Sequence, residues 1–351
     1  MSRYFSKKYE GLVPYVPGEQ PKDRRYIKLN TNESPFPPSK KAIAAAHEAA
    51  KSLQLYSDPT ASKLHAAIAA TVGCDENMIL ATNGSDEILN FAFMAFCDDE
   101  HPAIFPDITY GFYEVFAEIN RVPYEKILLK DDFSIDTEAL SGRKATVFLA
   151  NPNAPTGILL PLSEVENVVK STDGVVVVDE AYIDFGGESA ISLLAKYDNL
   201  LVTRTFSKSR SMAGARLGFG VANPALIADL VAMKYATNPY NVNAMTMAAG
   251  LGCLADEDYT EKNCRAIIEN RAYLKESLRS LGFDMTESYA NFLFAKHPSF
   301  AGETLYLALR ARGILVRYFN KARIRDYLRI TVGSRAECDA LINALSEITG
   351  V

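Results

Sequence analysis

The feature of this sequence that most constrains its fold is a series of short apolar runs without alternating polar residues. They span residues 78–81, 103–105, 146–150, 175–178 and 200–203, and a polar or glycine-containing turn follows each run. Uninterrupted apolar strands suit a sheet that is buried on both faces. Because helix-like stretches separate the runs, we predict an α/β fold with a mostly parallel central sheet, right-handed crossovers and flanking helices.

The pattern changes after about residue 245. A long amphipathic helix is predicted at 258–281, followed by a strand at 292–295, a helix near 303–312 and strands at 314–316 and 327–331. The proline-rich first 40 residues are predicted to be irregular and to form an arm against the rest of the molecule. We therefore predict a large domain over residues 30–244 and a smaller α+β domain over residues 1–29 and 245–351.

Composition excludes several classes of protein. The net charge of −6 gives no general attraction to nucleic acid or anionic lipid. No apolar run approaches the roughly 18 residues of a membrane helix, and the first residues lack the apolar segment of a secretory signal. The five cysteines contain no C-x-x-C pair and the four histidines no H-x-x-x-H pair, so neither a disulfide scaffold nor a metal site is expected. A cytoplasmic protein without nucleic-acid or membrane partners is predicted.

The residues that directly follow the apolar runs are the candidate functional residues, because ligands of open parallel sheets bind at the carboxyl ends of the strands. Among these, the turn at Gly84 opens a helix whose N-terminus would bind an anion, although an ordinary helix cap explains the same residues. The complete set comprises Gly84, Ser85, Asp86, Tyr110, Asn153, Asp179, Tyr182, Ser207 and Lys208. We expect this set to converge on one ligand.

Asp179 and Lys208 carry the clearest chemistry. Asp179 ends a buried run, where a carboxylate is costly unless it meets a cation, so it would serve as counter-ion to a ring nitrogen or else cap the next turn. A desolvated Lys208 near other cations would have a lowered pKa and could form a Schiff base. Arg216, eight residues further on, would supply a forked donor for a phosphate.

Three motifs in register resemble the class I/II aminotransferases, which are pyridoxal-phosphate enzymes of fold type I. They are Asn-Pro-Asn-Ala-Pro-Thr-Gly at 151–157, Asp-Glu-Ala-Tyr at 179–182, and Ser207-Lys208 followed after seven residues by Arg216. The resemblance covers nearly the whole chain. It implies a transaminase with pyridoxal 5'-phosphate as cofactor.

The resemblance also implies individual roles. Lys208 would bond to the cofactor and move the substrate proton, Asp179 would keep the pyridine nitrogen protonated, and Tyr182 would hydrogen-bond the phenolic oxygen. Tyr110 would stack on the ring. The phosphate would be held by the backbone of Ser85 and Asp86 with Ser207 and Arg216, together with Tyr56 of a second subunit, which implies a homodimer. Gly84 and Thr205 are further cofactor-binding residues. Most relatives have asparagine where this chain has Ala154, and Asn153 is the candidate to replace it.

Segments 14–18, 29–37, 238–243 and 327–333 resemble the branch of the family that acts on L-histidinol phosphate with 2-oxoglutarate, in histidine biosynthesis. Substrate-binding residues are then expected at Tyr15, Asn32, Arg317 and Arg329. Three alternatives stay open: a decarboxylating lyase such as threonine-phosphate decarboxylase, an aromatic amino acid aminotransferase, and a binding module that keeps only the fold.

Overall fold

The computed structural model describes residues 2–350. Its strands are β1 (Ile27–Leu29), β2 (Ile79–Thr82), β3 (Ala103–Pro106), β4 (Tyr124–Ile127), β5 (Thr146–Ala150), β6 (Val176–Asp179), β7 (Leu200–Thr205), β8 (Gly218–Ala222), β9 (Asp284–Met285), β10 (Phe292–Lys296), β11 (Ile314–Tyr318) and β12 (Tyr327–Thr331). Its α-helices are α1 (Lys40–Ala49), α2 (Ser62–Val72), α3 (Ser85–Phe96), α4 (Phe112–Asn120), α5 (Thr137–Leu140), α6 (Leu162–Ser171), α7 (Pro224–Thr237), α8 (Ala244–Leu254), α9 (Glu257–Ser280), α10 (Gly302–Ala311) and α11 (Arg335–Thr349). No helix in this part of the chain is long and apolar enough to cross a membrane.

The larger sheet has seven strands in the order β2-β8-β7-β6-β5-β3-β4. The strands from β4 to β7 pair in parallel, whereas β8 is antiparallel to both β7 and β2. The predicted, mostly parallel α/β sheet is therefore confirmed. The sequence analysis did not predict β8, because its glycines have low strand propensity.

Both faces of this sheet are buried, as the uninterrupted apolar runs predicted. Along β5, Val147 and Leu149 belong to one hydrophobic cluster, while Phe148 and Ala150 belong to another on the opposite face. Successive side chains of a strand point to opposite faces, so each face needs its own layer of helices. All five residues of β5 are buried.

The smaller sheet has five strands in the order β1-β11-β12-β10-β9. Strand β1, which lies in the predicted irregular arm, pairs in parallel with β11 and attaches the N-terminal segment to the C-terminal half of the chain. The predicted helix at 258–281 and strands at 314–316 and 327–331 correspond to α9, β11 and β12. The domain boundaries stay a prediction, and residues 1 and 351 lie outside the described residues.

Candidate active site

A cavity of about 200 Å³ lies at the carboxyl ends of the strands of the larger sheet. Most of its lining residues lie in, or shortly after, the strands β2, β3, β5, β6 and β7. Its lining brings together nine of the predicted residues: Ser85, Asp86, Tyr110, Asp179, Tyr182, Thr205, Ser207, Lys208 and Arg216. Because the carboxyl ends of parallel strands lie at the same edge of a sheet, residues that are far apart in sequence share one site.

Lys208 lies just beyond β7 with its amine inside this cavity. The Nζ atom donates a hydrogen bond to the backbone carbonyl of Thr31 at 3.2 Å. The pKa of Lys208 is lowered to about 8, mainly by burial and secondly by the positive charge of Arg329, while the negative charge of Glu33 opposes the shift. A larger fraction of the amine is therefore neutral near pH 8 than for an exposed lysine, and a neutral amine is the nucleophilic form.

Asp179 ends β6 and is 5% exposed. Its carboxylate accepts hydrogen bonds from Tyr113 Oη at 3.2 Å and from Thr203 Oγ1 at 3.3 Å. The pKa of Asp179 is raised to about 7, mainly by burial, while the hydrogen bond from Tyr113 opposes the rise and the negative charge of Asp86 contributes to it. Because no lysine or arginine of residues 2–350 forms an ion pair with this carboxylate, a cationic ligand would find an uncompensated partner here.

The sequence analysis missed both hydrogen-bond donors to Asp179. Tyr113 lies within the apolar first turn of α4 and is fully buried, so it resembles an ordinary core residue. Thr203 lies in the middle of the apolar strand β7. Its position two residues before the end of the strand places it beside Asp179 in the pairing register, which is the signal that could have identified it.

Tyr182 is oriented by Asn32, whose Nδ2 donates to the phenolic oxygen at 3.0 Å. Asn32 has φ of 55° and is itself held by Thr331 Oγ1, which donates to its side-chain oxygen at 3.1 Å, and by Asn291 Nδ2, which donates to its backbone carbonyl at 3.0 Å. Asn32 was predicted to bind substrate. Its side chain is instead engaged with Tyr182 and Thr331 and is absent from the lining of the cavity.

The start of α3 forms an anion-binding cradle. The helix begins at Ser85 after Gly84, whose φ is 80°, and the N–H groups of its first turn have no intrahelical acceptors. A Cβ atom on Gly84 would lie 2.5 Å from Arg216 Nη2, and a Cβ atom on Gly218 would lie 2.4 Å from the Ser85 amide nitrogen. Glycine at these two positions therefore allows Arg216 and strand β8 to lie close to the start of the helix.

Arg216 faces this helix start from the turn before β8. Its Nη2 lies 3.0 Å from Asp86 Oδ2, and its Nη1 donates to Ser207 Oγ at 3.4 Å. Thr205 Oγ1 donates to Ser207 Oγ at 2.9 Å, and Tyr110 Oη donates to Asp86 Oδ1 at 2.6 Å. The five side chains form one connected polar network around the cradle.

A second cavity, of about 370 Å³, shares Tyr110 and Ala154 with the first and contains Tyr15, Arg317 and Arg329. Arg329 Nη2 donates to a backbone carbonyl at 3.0 Å, and its buried Nε has no partner among the described residues. Burial lowers the pKa of Arg329, and no carboxylate of residues 2–350 neutralises it. This guanidinium therefore lacks an anionic partner, which a substrate anion would supply.

Tyr15 and Arg317 complete this second cavity. The ring of Tyr15 stacks on Phe112 with centroids 4.3 Å apart. Arg317 lies opposite Arg329 in the register of β11 and β12, and its Nη1 and Nη2 donate to the carbonyls of Pro17 and Val16 at 3.0 and 2.7 Å. Arg317 thereby ties the N-terminal arm to the smaller sheet.

A model of the aminotransferase class I and II family matches residues 24–345. The chain belongs to this family. The family prediction from the three motifs is confirmed.

The curated relatives of this aminotransferase match it from end to end. Histidinol-phosphate aminotransferase 2 of Dechloromonas aromatica is 48% identical over 356 residues, covering 100% of both chains. Histidinol-phosphate aminotransferase of Aromatoleum aromaticum is 47% identical over 354 residues, covering 99% of each. The solved structure of histidinol-phosphate aminotransferase from Sinorhizobium meliloti in complex with pyridoxal-5'-phosphate has a TM-score of 0.88 at 24% identity, covering 100% of this chain and 98% of that one. The last match shows that the fold is shared.

Asn153 and Tyr56, which were predicted to bind the cofactor, do not line the first cavity of this aminotransferase. Asn153 is 1% exposed, and its Nδ2 donates to the carbonyl of Ile108 and to Thr156 Oγ1, both at 3.0 Å. Its side-chain oxygen accepts from Thr109 at 2.8 Å, so its amide group is fully engaged away from the cavity that Ala154 lines. Tyr56 is 84% exposed and stacks on Tyr240 with centroids 4.5 Å apart.

Proposed function

We propose that this protein is a pyridoxal-phosphate-dependent aminotransferase that converts L-histidinol phosphate and 2-oxoglutarate to imidazole acetol phosphate and L-glutamate. The observation that carries the proposal is the pairing, within one cavity, of a buried Lys208 amine with a buried Asp179 carboxylate that lacks a cation. The curated relatives, named histidinol-phosphate aminotransferases at 47–48% identity over the whole chain, support both the activity and its substrate.

The first cavity fits pyridoxal phosphate in each of its three parts. The cradle of Ser85 and Arg216, with glycine at 84 and 218, suits a phosphate dianion. Asp179 offers an uncompensated carboxylate to a protonated ring nitrogen, which would remove the cost of burying that charge. Lys208 offers the amine for the aldehyde.

The bound cofactor supplies an aldehyde and an electron-withdrawing ring. In our proposal, the Lys208 Nζ atom holds and moves the proton of the substrate α-carbon, since its lowered pKa favours the neutral base. Tyr182 Oη donates to the ring oxygen, with Asn32 fixing its direction. Tyr110 supports the ring, and Arg329 binds a substrate anion in the adjoining cavity.

The role of Lys208 is tested by covalent labelling. Borohydride treatment of the purified holoenzyme, followed by peptide mapping, should find the reduced adduct on Lys208. Lys208→Ala should abolish turnover, while Lys196→Ala, an exposed control, should leave it unchanged. An unmodified Lys208 would refute the proposed chemistry.

Substrate and reaction type are tested by product analysis. In the proposed transamination, histidinol phosphate donates its amino group and 2-oxoglutarate becomes glutamate. Formation of glutamate only when both compounds are present supports it. Carbon dioxide released from threonine phosphate without an oxo acid would instead indicate the lyase, and faster turnover of phenylalanine than of histidinol phosphate would indicate an aromatic aminotransferase. Bound cofactor without turnover of any of these would indicate a binding module.

We also propose a homodimer in the cytoplasm, in which Tyr56 of one subunit reaches the phosphate site of the other. The exposed Tyr56 and Leu55 line an apolar cavity of about 380 Å³ together with Met247 and Leu251, which suits cover by a second copy. Sedimentation should give twice the chain mass of 38.6 kDa. A monomer with full activity would refute this assembly.

A further inference from the structure

The second cavity has an acidic wall that the proposed mechanism does not use. Helix α4 contributes Gly111, Glu114, Val115 and Glu118, whose spacing places them on one helix face. The basic residues Arg317, Lys321 and Arg329 of the same cavity come from the segment around β11 and β12. The cavity therefore holds charges of both signs, contributed by different elements.

The two glutamates of this wall differ in their partners. Glu114 Oε1 lies 2.5 Å from Lys126 Nζ and accepts from Tyr124 Oη at 3.2 Å, so its charge is neutralised. Glu118 has no lysine, arginine or histidine within ion-pair distance among residues 2–350. Its contacts are Tyr124 Oη and the Val13 N–H, both at 3.5 Å, the limit of a hydrogen bond. Glu118 is thus a half-buried acceptor with spare capacity facing the cavity.

The position of Glu118 along α4 suits the far end of a substrate. Tyr110, directly before this helix, lines both cavities. Glu118 lies seven residues beyond Gly111, or about 10 Å along the helix axis at 1.5 Å per residue. A substrate whose amine lies in the Lys208 cavity and whose anionic group lies at the basic residues would therefore place its third group along α4, toward Glu118.

We propose that the Glu118 carboxylate accepts a hydrogen bond from the imidazole N–H of the substrate and selects an imidazole over a hydrocarbon ring. The inference rests on the proposed function. Histidinol phosphate carries an anionic phosphate, which suits Arg317 and Arg329, and a ring N–H donor, which suits a carboxylate that has no basic partner and only two long hydrogen bonds. The stacked rings of Tyr15 and Phe112 add a flat surface for that ring.

The test compares two substrates and matched variants of the holoenzyme. L-Histidinol phosphate and L-phenylalaninol phosphate share the phosphate and the amine, but only the former has a ring N–H. For Glu118→Gln we expect KM for histidinol phosphate to rise about tenfold, the size of one charge-assisted hydrogen bond, with kcat within about twofold. KM for phenylalaninol phosphate should stay level or fall. Glu269→Gln, which changes an exposed glutamate of α9 outside both cavities, is the control, expected to change neither KM more than about twofold.

Each result decides the inference. Glu118→Asp, which keeps the charge on a shorter side chain, should recover part of the lost affinity, and far-UV circular dichroism checks that each variant folds. An equal rise in KM for both substrates would mean that Glu118 only holds Val13 of the arm, and an unchanged KM would likewise overturn the inference. Wild-type enzyme without turnover of histidinol phosphate would overturn the proposed function as well, so the two failures are distinguishable.

Discussion

The most direct quantitative consequence of the site concerns Asp179→Asn. Burial raises the pKa of this carboxyl from its ordinary value of 3.8 to about 7 in the folded chain. The folded state therefore binds the proton more tightly than the unfolded state, and stability is lost as the pH rises between these two values. At about 1.4 kcal/mol for each pH unit, the complete loss is of the order of 4 kcal/mol, of which roughly 2 to 3 kcal/mol falls between pH 5 and pH 8.

Asparagine at this position is neutral at every pH and removes this dependence. We expect cofactor-free Asp179→Asn to gain roughly 2 to 3 kcal/mol of stability relative to cofactor-free wild type between pH 5 and pH 8. Urea unfolding at a series of pH values measures the free energy of unfolding of both proteins. A change in stability that the asparagine causes equally at every pH cancels when the two pH dependences are compared. The exposed Asp229→Asn serves as control for loss of a carboxylate. Parallel pH dependences of wild type and Asp179→Asn would refute the reasoning.

The cofactor should reverse this effect. A protonated ring nitrogen beside Asp179 would stabilise the carboxylate form, so pyridoxal phosphate should stabilise wild type more than Asp179→Asn at pH 8. Thermal unfolding with and without the cofactor gives the two increments. Equal increments would mean that no cation meets this carboxylate.

Three further outcomes follow from other parts of the site. Covalent capture of pyridoxal phosphate by cofactor-free protein should accelerate with pH, reach half its maximum rate near pH 8 and level off above about pH 9, because the pKa of Lys208 is lowered to about 8, mainly by burial; a rate that still rises steeply at pH 10 in stopped-flow absorbance would contradict this. Gly218→Ala should weaken cofactor binding at least about tenfold in a fluorescence titration, since its Cβ would meet the Ser85 amide at 2.4 Å, whereas Gly214→Ala, with open space around it, should not. Arg329→Gln should raise KM for the phosphorylated substrate by about tenfold or more in steady-state kinetics, through loss of a charge-assisted hydrogen bond, and an unchanged KM would exclude it from the anion site.

Much of the fold and the family could be predicted from the sequence alone, because the relevant signals are local in the chain. Uninterrupted apolar runs identified five of the seven strands of the larger sheet, all except β4 and β8, and the residues after each run identified the carboxyl-end edge where Ser85, Asp179 and Lys208 meet. The motifs around these residues were sufficient for the family, which the comparisons confirm. Strand β8 was missed because a glycine-rich strand carries little local preference.

Contacts between distant parts of the chain were decided only by the tertiary structure. Asn32 meets Tyr182 across 150 residues, and the Thr31 carbonyl meets Lys208 across 177. Glu114 pairs with Lys126, whereas Glu118, four residues away, has no basic partner among residues 2–350. A sequence specifies which groups are available, but hydrogen bonding and charge depend on which surfaces the two sheets bring together in three dimensions, and burial then sets the pKa of each group.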